Sequence, residues 1–323
     1  MKSSRFLLAG LLLAVLTSCV SLPKADLVVA ADGSGSFKTV QAAIDAAPAN
    51  SAKRTVILVR HGTYPEIVVI PAEKKNLTLR GEDRHTTIIA ATNNAKLNPS
   101  RREMISANAD GFVLENLTLH NLTPYHGTQA ETIRVNADRV VLRDCDFKSF
   151  QDTLRLEGCV FVDNCYVEGD VDFVWGAGTV YFNRCELKAL HNGYLVQSRN
   201  GADKLGYIFV DCRLTGVPDI ERYVLARIDP GRFPFSHVAF IGCAMDKHIL
   251  PAGWTFDGPG ATASKEHIRF EEFQSTDLAG NPLDIAQRVA GSRQLTTAEA
   301  ARERDLAYVF GGSDHWNPRL DNN

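Results

Sequence analysis

The sequence lacks three features that would each point to a different class of protein. Its 38 acidic residues outnumber its 35 basic ones, so its net charge of -3 does not favour nucleic-acid binding. The apolar run from Phe6 to Leu16 is too short to cross a bilayer. The nine histidines and seven cysteines show no spacing typical of zinc ligands. We therefore expect no metal, no cofactor and no nucleic-acid partner.

The short apolar run has instead the layout of an export signal. Lys2 and Arg5 precede it, and Leu16 to Cys19 resembles a bacterial lipobox, whose cysteine is lipidated after cleavage. We predict three segments: a signal peptide at 1–18, a lipidated tether at 19–26 and a single domain at 27–323. The protein would then be an exported lipoprotein anchored to a membrane. The alternative is a plain signal peptide and a secreted protein.

A short strand-like phrase recurs along the middle of the chain, each time around a cysteine. The cysteines of this phrase are 20, 20, 27 and 31 residues apart: Cys145, Cys165, Cys185, Cys212 and Cys243. A period near twenty, with longer spacings absorbed by loops, is typical of a solenoid, and short strands make it a parallel β-helix. We expect these cysteines to stack inside successive coils, mostly as free thiols, because free cysteine behaves as a buried apolar residue. Cys159 lies outside this phase.

Helices are predicted at both ends of the solenoid. An amphipathic pattern predicts a helix over 37–47 that would cap the N-terminal end. Thr296, with Glu299 three residues later, forms a capping box that opens a second helix running to about Tyr308. This helix would pack along or over the other end. The fold class is therefore all-β, with an N-terminal capping helix and a C-terminal helix.

Two aspartates lie in phase on the repeat. Asp152 and Asp172 are twenty residues apart, and each follows its cysteine by seven residues. Neighbouring strands lie about 4.8 Å apart, so the two carboxylates should lie close together on one face. Because two such carboxylates cannot both ionise easily, one would be an acid and the other a base or nucleophile. Turn aspartates that only cap backbone amides are the alternative.

Two amides and one guanidinium accompany the aspartates. Gln151 precedes Asp152, and Gln129 lies about one coil earlier, so both amides could donate hydrogen bonds to an oxyanion. Arg227 could hold one carboxylate in its charged form. This set suits acyl transfer at an ester carbonyl, whereas glycoside hydrolysis needs two carboxylates but no oxyanion hole.

The chain resembles the pectinesterases from about Val28 to the C-terminus. The most specific segments of the match are Gln151-Asp152-Thr153-Leu154 and Gly169-Asp170-Val171-Asp172-Phe173-Val174-Trp175-Gly176. The resemblance implies a right-handed parallel β-helix that removes methyl esters from pectin, in plant cell-wall degradation, without a cofactor. It also implies the roles of the site residues: Asp172 as nucleophile, Asp152 as general acid, Gln129 and Gln151 as oxyanion hole, and Arg227 as the residue that holds Asp172. We expect a monomer whose partners are pectin and, through Cys19, a membrane.

The chain departs from the family's pattern near Arg227. The usual Leu-Gly-Arg-Pro-Trp is Leu225-Ala226-Arg227-Ile228-Asp229 here, so the arginine is kept and the tryptophan that lines the sugar groove is lost. Trp175 stands where many members have phenylalanine, and it either replaces that sugar stacking or belongs to the core. Met245 has the same two interpretations. We predict substrate contacts from Trp175, Met245, Gln129 and Arg227. Arg101, Arg102 and Arg222 are expected to be solvated charges, with contact to a polyanion as the alternative.

Two other functions compete with ester hydrolysis. A β-helix that cleaves polysaccharide, such as a polygalacturonase or a uronate lyase, would need a third catalytic carboxylate or a calcium cluster with a basic residue, and neither is evident in the sequence. A surface binding protein or adhesin would have no reason to keep the complete set of two aspartates, two glutamines and one arginine. An esterase acting on a different ester also remains open.

Overall fold

The computed structural model describes residues 25–312 and 316–319. The predicted signal peptide, most of the tether and the lipidated Cys19 lie outside these residues. In chain order the strands are β1 (Leu27–Val29), β2 (Thr55–Val59), β3 (Gly62–Tyr64), β4 (Val68–Ile70), β5 (Leu77–Gly81), β6 (Thr87–Ala91), β7 (Ile105–Ala107), β8 (Val113–Glu115), β9 (Thr118–Asn121), β10 (Ile133–Val135), β11 (Val140–Arg143), β12 (Asp146–Lys148), β13 (Leu154–Leu156), β14 (Cys159–Asp163), β15 (Tyr166–Gly176), β16 (Thr179–Asn183), β17 (Glu186–Ser198), β18 (Tyr207–Val210), β19 (Arg213–Gly216), β20 (Tyr223–Ile228), β21 (His237–Ile241), β22 (Ala244–Met245), β23 (Trp254–Phe256), β24 (Arg269–Phe273) and β25 (Arg293–Gln294). The helices are α1 (Val40–Ala46), α2 (Thr297–Arg304) and α3 (Leu306–Phe310).

These strands form the predicted parallel β-helix. One sheet of eleven strands has the order β1-β2-β5-β8-β11-β14-β16-β18-β21-β24-β25. The second sheet, of fourteen strands, wraps around the other side of the coils, and its long strands β15 and β17 run through a corner without interruption. The residue partners in β14 and β16 are twenty residues apart, for example Val160 with Val180, which is the period seen in the sequence.

The corner before each stacked cysteine has a left-handed backbone. Asp144, Asn164, Arg184 and Asp211 all have φ between 52° and 53°. Asparagine and aspartate adopt this conformation more readily than most other side chains, which explains why they recur at this position. Asn164 Nδ2 also donates to Asp144 Oδ1 on the previous coil, at 2.6 Å. The repeat in the sequence therefore records a repeated turn.

The stacked cysteines lie inside the coils, as predicted. Each is at most 2% exposed, and none forms a disulfide: Cys145, Cys165, Cys185, Cys212 and Cys243. Aromatic rings continue the interior stack towards the C-terminal end. Phe209 lies 4.5 Å from Phe182 and 4.6 Å from Phe240 between ring centroids, because these residues pair in register on consecutive coils. The buried interior keeps successive coils in register.

The helices lie where the sequence placed them, with one correction. Helix α1 contributes Val40, Ala43 and Ile44 to the interior core and covers its N-terminal end. The predicted C-terminal helix is two helices, since Asp305 is extended and its side chain accepts from Ala307 N at the start of α3. Both pack along the outer face of the eleven-stranded sheet. Among the described residues, no helix is long and apolar enough to cross a membrane.

Candidate active site

Asp152 and Asp172 lie on consecutive coils, at the start of β13 and within β15. Leu154 pairs with Val174, and Asp152 N donates to Val171 O at 3.1 Å, so the twenty-residue offset is kept at the aspartates. Both have left-handed backbones, with φ of 68° and 50°. Aspartate adopts this conformation more readily than most other residues, and it also recurs at the corners before the stacked cysteines.

An irregularity in β15 sets the direction of the Asp172 side chain. The pairing of β15 with β17 shifts register between Gly169 and Val171, and again between Val171 and Val174. A bulge of this kind bends a strand and re-aims a side chain. Asp172 lies within the shifted segment, at the corner where β15 leaves one part of the sheet for the next.

The stack of acidic residues has a third member, which sequence analysis missed. Glu131 precedes β10 and lies 21 residues before Asp152, and β10 pairs with β13 at that same offset. Glu131, Asp152 and Asp172 are thus contributed by three consecutive coils, and they are 0%, 7% and 4% exposed. The extension of the twenty-residue phase back to Gln129-Ala130-Glu131 is the signal that could have revealed it.

Arg227 holds Asp172, as predicted. Its Nε donates to Asp172 Oδ1 at 2.8 Å, and its Nη2 donates to Asp172 Oδ2. Its Nη1 donates to Asp257 Oδ2 at 3.1 Å, and its guanidinium lies 4.4 Å from the centroid of the Tyr194 ring. Burial raises the pKa of Asp172, whereas the two bonds from Arg227 oppose that rise.

Arg102 holds the other end of the stack, so the prediction that it is a solvated charge is wrong. Its Nη2 donates to Asp152 Oδ2 at 2.9 Å, and its Nε donates to Glu131 Oε1 at 2.8 Å. Burial, followed by the charge of Glu131, raises the pKa of Asp152 well above its usual value, although Arg102 opposes this. The sequence could not reveal Arg102, because the segment between β6 and β7 carries it to a partner fifty residues away.

The two aspartates are therefore held differently. Asp172 accepts two bonds from one guanidinium, one on each oxygen, and this geometry stabilises a carboxylate. Asp152 accepts one guanidinium bond, on Oδ2, and burial opposes its ionisation most strongly. The arrangement therefore favours ionisation of Asp172 over ionisation of Asp152.

The two glutamines lie beside the stack. Ala130 N donates to Gln151 O at 3.1 Å, so the segments carrying Gln129 and Gln151 are backbone neighbours. Both side chains are half-buried. Gln129 Oε1 accepts from Thr128 Oγ1 at 2.8 Å, which leaves the Gln129 amide N–H groups as donors. The two amides can therefore donate to an oxyanion formed next to the aspartates.

A groove runs past the site. A cavity of about 350 Å³ is lined by Tyr125, Gln151 and Asp170, and a cavity of about 400 Å³ is lined by Tyr194. Both are also lined by Val171 and Asn192, so they meet beside Asp172. The two adjoining cavities are together called the groove.

Two tyrosines that the sequence analysis did not name, Tyr125 and Tyr194, line the groove. Tyr125 stacks on His191, with ring centroids 3.5 Å apart and an interplanar angle of 12°. Tyr194 lies on β17, next to Arg227. Sugar rings pack well on aromatic faces, so these rings are candidate substrate contacts. The sequence did not predict the contact between Tyr125 and His191, because Tyr125 lies in a loop and His191 lies at the corner of the long strand β17.

Trp175 and Met245, which the sequence predicts as substrate contacts, are both buried. The Trp175 ring is 4% exposed, and the guanidiniums of Arg155 and Arg199 lie 4.4 and 4.5 Å from its centroid. A sugar could stack on this ring only if those arginines moved. Met245 is 1% exposed and belongs to the interior core, the alternative that the sequence left open.

Among the described residues, one group of side chains has the geometry to hold a metal ion. The ligand atoms of His237, Glu271 and Glu303 lie within 4.8 Å of one another, and all three residues are buried. His237 Nε2 lies 2.9 Å from Glu271 Oε2. This contact is equally well explained as an ordinary buried hydrogen bond. The group lies beneath α2, against the eleven-stranded sheet, and takes no part in the aspartate site.

Comparison with known proteins gives a consistent family. The pectinesterase family model matches residues 26–310. The chain is 31% identical over 307 residues to pectinesterase/pectinesterase inhibitor 18 of Arabidopsis thaliana. That match covers 89% of this chain and 54% of the plant protein, so the chain spans about half the length of this relative.

Solved structures share the fold over nearly the whole chain. Pectin methylesterase from carrot has a TM-score of 0.81 and 27% identity, with 91% of this chain and 95% of the carrot chain covered. A pectin methylesterase solved in complex with a hexasaccharide has a TM-score of 0.78 and 28% identity. The match covers 92% of this chain and 99% of that one.

Proposed function

Because the chain belongs to the pectinesterase family, we propose that it hydrolyses the methyl esters of pectin and releases methanol. The observation that carries the proposal is the unequal pair of aspartates: Arg227 bonds both oxygens of Asp172, whereas burial opposes the ionisation of Asp152 and raises its pKa. Ester hydrolysis through an acyl-enzyme needs one nucleophile and one acid, and this pair supplies both.

In the first step Asp172 attacks the carbonyl carbon of the ester. The carbonyl electron pair moves to its oxygen, and the amides of Gln129 and Gln151 donate hydrogen bonds to the resulting oxyanion. When the oxyanion collapses, the bond to the methoxy oxygen breaks and Asp152 gives its proton to that oxygen. Methanol leaves, and Asp172 is joined to the galacturonate carboxyl as an anhydride.

In the second step the anhydride is hydrolysed. Asp152, now a carboxylate, takes a proton from a water molecule, and the oxygen of that water attacks the acyl carbon. The bond to Asp172 breaks and Arg227 receives the restored carboxylate with its two donors. Asp152 is again protonated, so the site has returned to its starting state with one methanol and one acid formed.

The groove supports a polymeric sugar as substrate. Its two cavities share Val171 and Asn192 in their walls, and each is lined by at least one tyrosine. The structure with a bound hexasaccharide is that of a protein with the same fold. Glu131 does not favour a polysaccharide-cleaving enzyme, because it is fully buried and its Oε1 is held by Arg102.

The proposal is tested by measuring methanol release from highly methylated pectin by the purified soluble domain. A panel of methyl and acetyl esters measures the choice of ester, and a reducing-end assay on polygalacturonate measures chain cleavage. We expect methanol from pectin and no new reducing ends. Failure to release methanol from several pectins, or a predominant release of reducing ends, would overturn the assignment.

We also propose that the protein is an exported lipoprotein and a monomer. The lipobox-like segment ending at Cys19 supports a lipid anchor, which would place the catalytic domain at a membrane surface outside the cytoplasm. Detergent partitioning of the full chain and of Cys19→Ala tests the anchor. We expect only the unaltered chain to enter the detergent phase, and equal partitioning of the two would refute it. Light scattering, which measures the molar mass of the soluble domain, tests whether it is a monomer.

A further inference from the structure

The two ends of the carboxylate stack have a common design. Arg227 bonds Asp172 and also Asp257, while Arg102 bonds Asp152 and also Glu131. Each catalytic aspartate thus faces one arginine, and each arginine has a second carboxylate behind it. The second carboxylates differ in burial, because the Asp257 side chain is 35% exposed and that of Glu131 is fully buried.

The burial of Glu131 is costly and calls for a reason. Its Oε1 accepts from Arg102, but its Oε2 is buried without a hydrogen-bond partner. Burying a carboxylate costs several kcal/mol unless it is fully paired, and an unsatisfied oxygen adds to that cost. The arrangement is explained if the charge of Glu131 serves the reaction.

We propose that Glu131 is a positioning residue that acts through Arg102 to keep Asp152 in the form that can donate a proton. Glu131 balances the charge of Arg102, which can then orient Asp152 Oδ2 without forcing Asp152 to ionise. The other oxygen, Oδ1, is left to carry the proton that goes to the departing methoxy group. This inference rests on the proposed function of the aspartate pair.

The charges around Asp152 give the direction of the effect. Glu131 and Asp172 favour its protonated form, and Arg102 and Arg199 favour its ionised form. Replacement of Glu131 by a neutral amide would leave both arginines opposed by burial and by the charge of Asp172. The pKa of Asp152 would then fall. Since Asp152 must be protonated to act as the acid, activity would be lost at a lower pH on the alkaline side.

The test compares pH profiles of kcat/KM for methanol release by the unaltered protein and by Glu131→Gln. We expect the alkaline limb of Glu131→Gln to move to lower pH by about one unit or more, the usual effect of a close charge. The acid limb, which reports Asp172, should stay in place. Asp257→Asn is the matched control, because it removes the corresponding carboxylate behind Arg227, and it should leave the alkaline limb unmoved.

Arg102→Gln should shift the alkaline limb in the opposite direction. It also provides a test of the proposal if Glu131→Gln does not fold. Removal of the guanidinium should move the alkaline limb to higher pH, since Asp152 would lose its nearest cation. An equal loss of activity at every pH in Glu131→Gln, or shifts of the two variants in the same direction, would overturn the proposal.

Carbon-13 NMR titration of the aspartate carboxyls, with Asp152 assigned through Asp152→Asn, gives a readout without substrate. If the unaltered protein releases no methanol, the proposed function fails, whereas a carboxyl titration unchanged by Glu131→Gln refutes this inference alone.

Discussion

Replacing Arg227 with glutamine tests how far its two bonds keep Asp172 ionised. The Asp172 side chain is 6% exposed, and both of its oxygens accept from the guanidinium. Breaking one side of a buried ion pair costs about 3–5 kcal/mol, because the remaining charge is left uncompensated. Arg227 is itself 24% exposed, so water can partly replace it and the lower value of about 3 kcal/mol applies. At 1.36 kcal/mol per unit, the pKa of Asp172 should rise by about two units.

The kinetic consequence follows from the requirement that the nucleophile is ionised. In Arg227→Gln the acid limb of the kcat/KM profile should move to higher pH by about two units. At a pH below the shifted limb, the smaller ionised fraction of Asp172 lowers kcat/KM by roughly 100-fold. Methanol release from methylated pectin is measured from acid to mildly alkaline pH, with blanks without enzyme.

A matched variant separates this effect from a general loss of positive charge. Arg184 forms an exposed pair with Asp163, and its side chain is 63% exposed. Such surface pairs contribute little, so Arg184→Gln should keep the pH profile and the activity of the unaltered protein. If Arg227→Gln folds normally and its acid limb coincides with that of Arg184→Gln, Arg227 does not hold the nucleophile in its ionised form.

Two further predictions concern the coils. Phe209→Ala should lower the free energy of unfolding by about 3–5 kcal/mol, because the ring is fully buried between Phe182 and Phe240; an unchanged urea midpoint would contradict this. The stacked thiols, which are at most 2% exposed, should react with a thiol reagent only after unfolding, because burial excludes the reagent. Rapid reaction of all the stacked thiols in the native protein would show that the coils open easily.

The sequence predicted those features of the site that follow the repeat. The cysteine spacing fixed the phase of Asp152 and Asp172, and the structure keeps that phase through the pairing of β13 with β15. Arg227 could be predicted because its segment keeps the family's Leu-x-Arg pattern despite the changes at Ile228 and Asp229. Glu131 lies one coil before Asp152, but it follows Leu117, which takes the cysteine position on that coil, by 14 residues and not by seven, so the cysteine phase did not reveal it.

The features that the sequence could not predict depend on loops and on competing local preferences. Arg102 reaches Asp152 from a segment that follows no repeat, so only the folded chain brings them together. The break between α2 and α3 arises because Asp305 caps the second helix, although an uninterrupted helical pattern fits the surrounding residues. Trp175 could not be assigned to groove or core, since the arginines that cover its ring come from different coils.

The most direct test of the central claim compares methanol release by the unaltered protein, Asp172→Asn and Asp211→Asn. Asp211 is an exposed aspartate that pairs with Arg304, so its replacement controls for the loss of a negative charge elsewhere. We predict that the unaltered protein and Asp211→Asn release methanol from methylated pectin at equal rates, and that correctly folded Asp172→Asn releases none. Undiminished methanol release by Asp172→Asn would contradict the assignment of the nucleophile and with it the proposed mechanism.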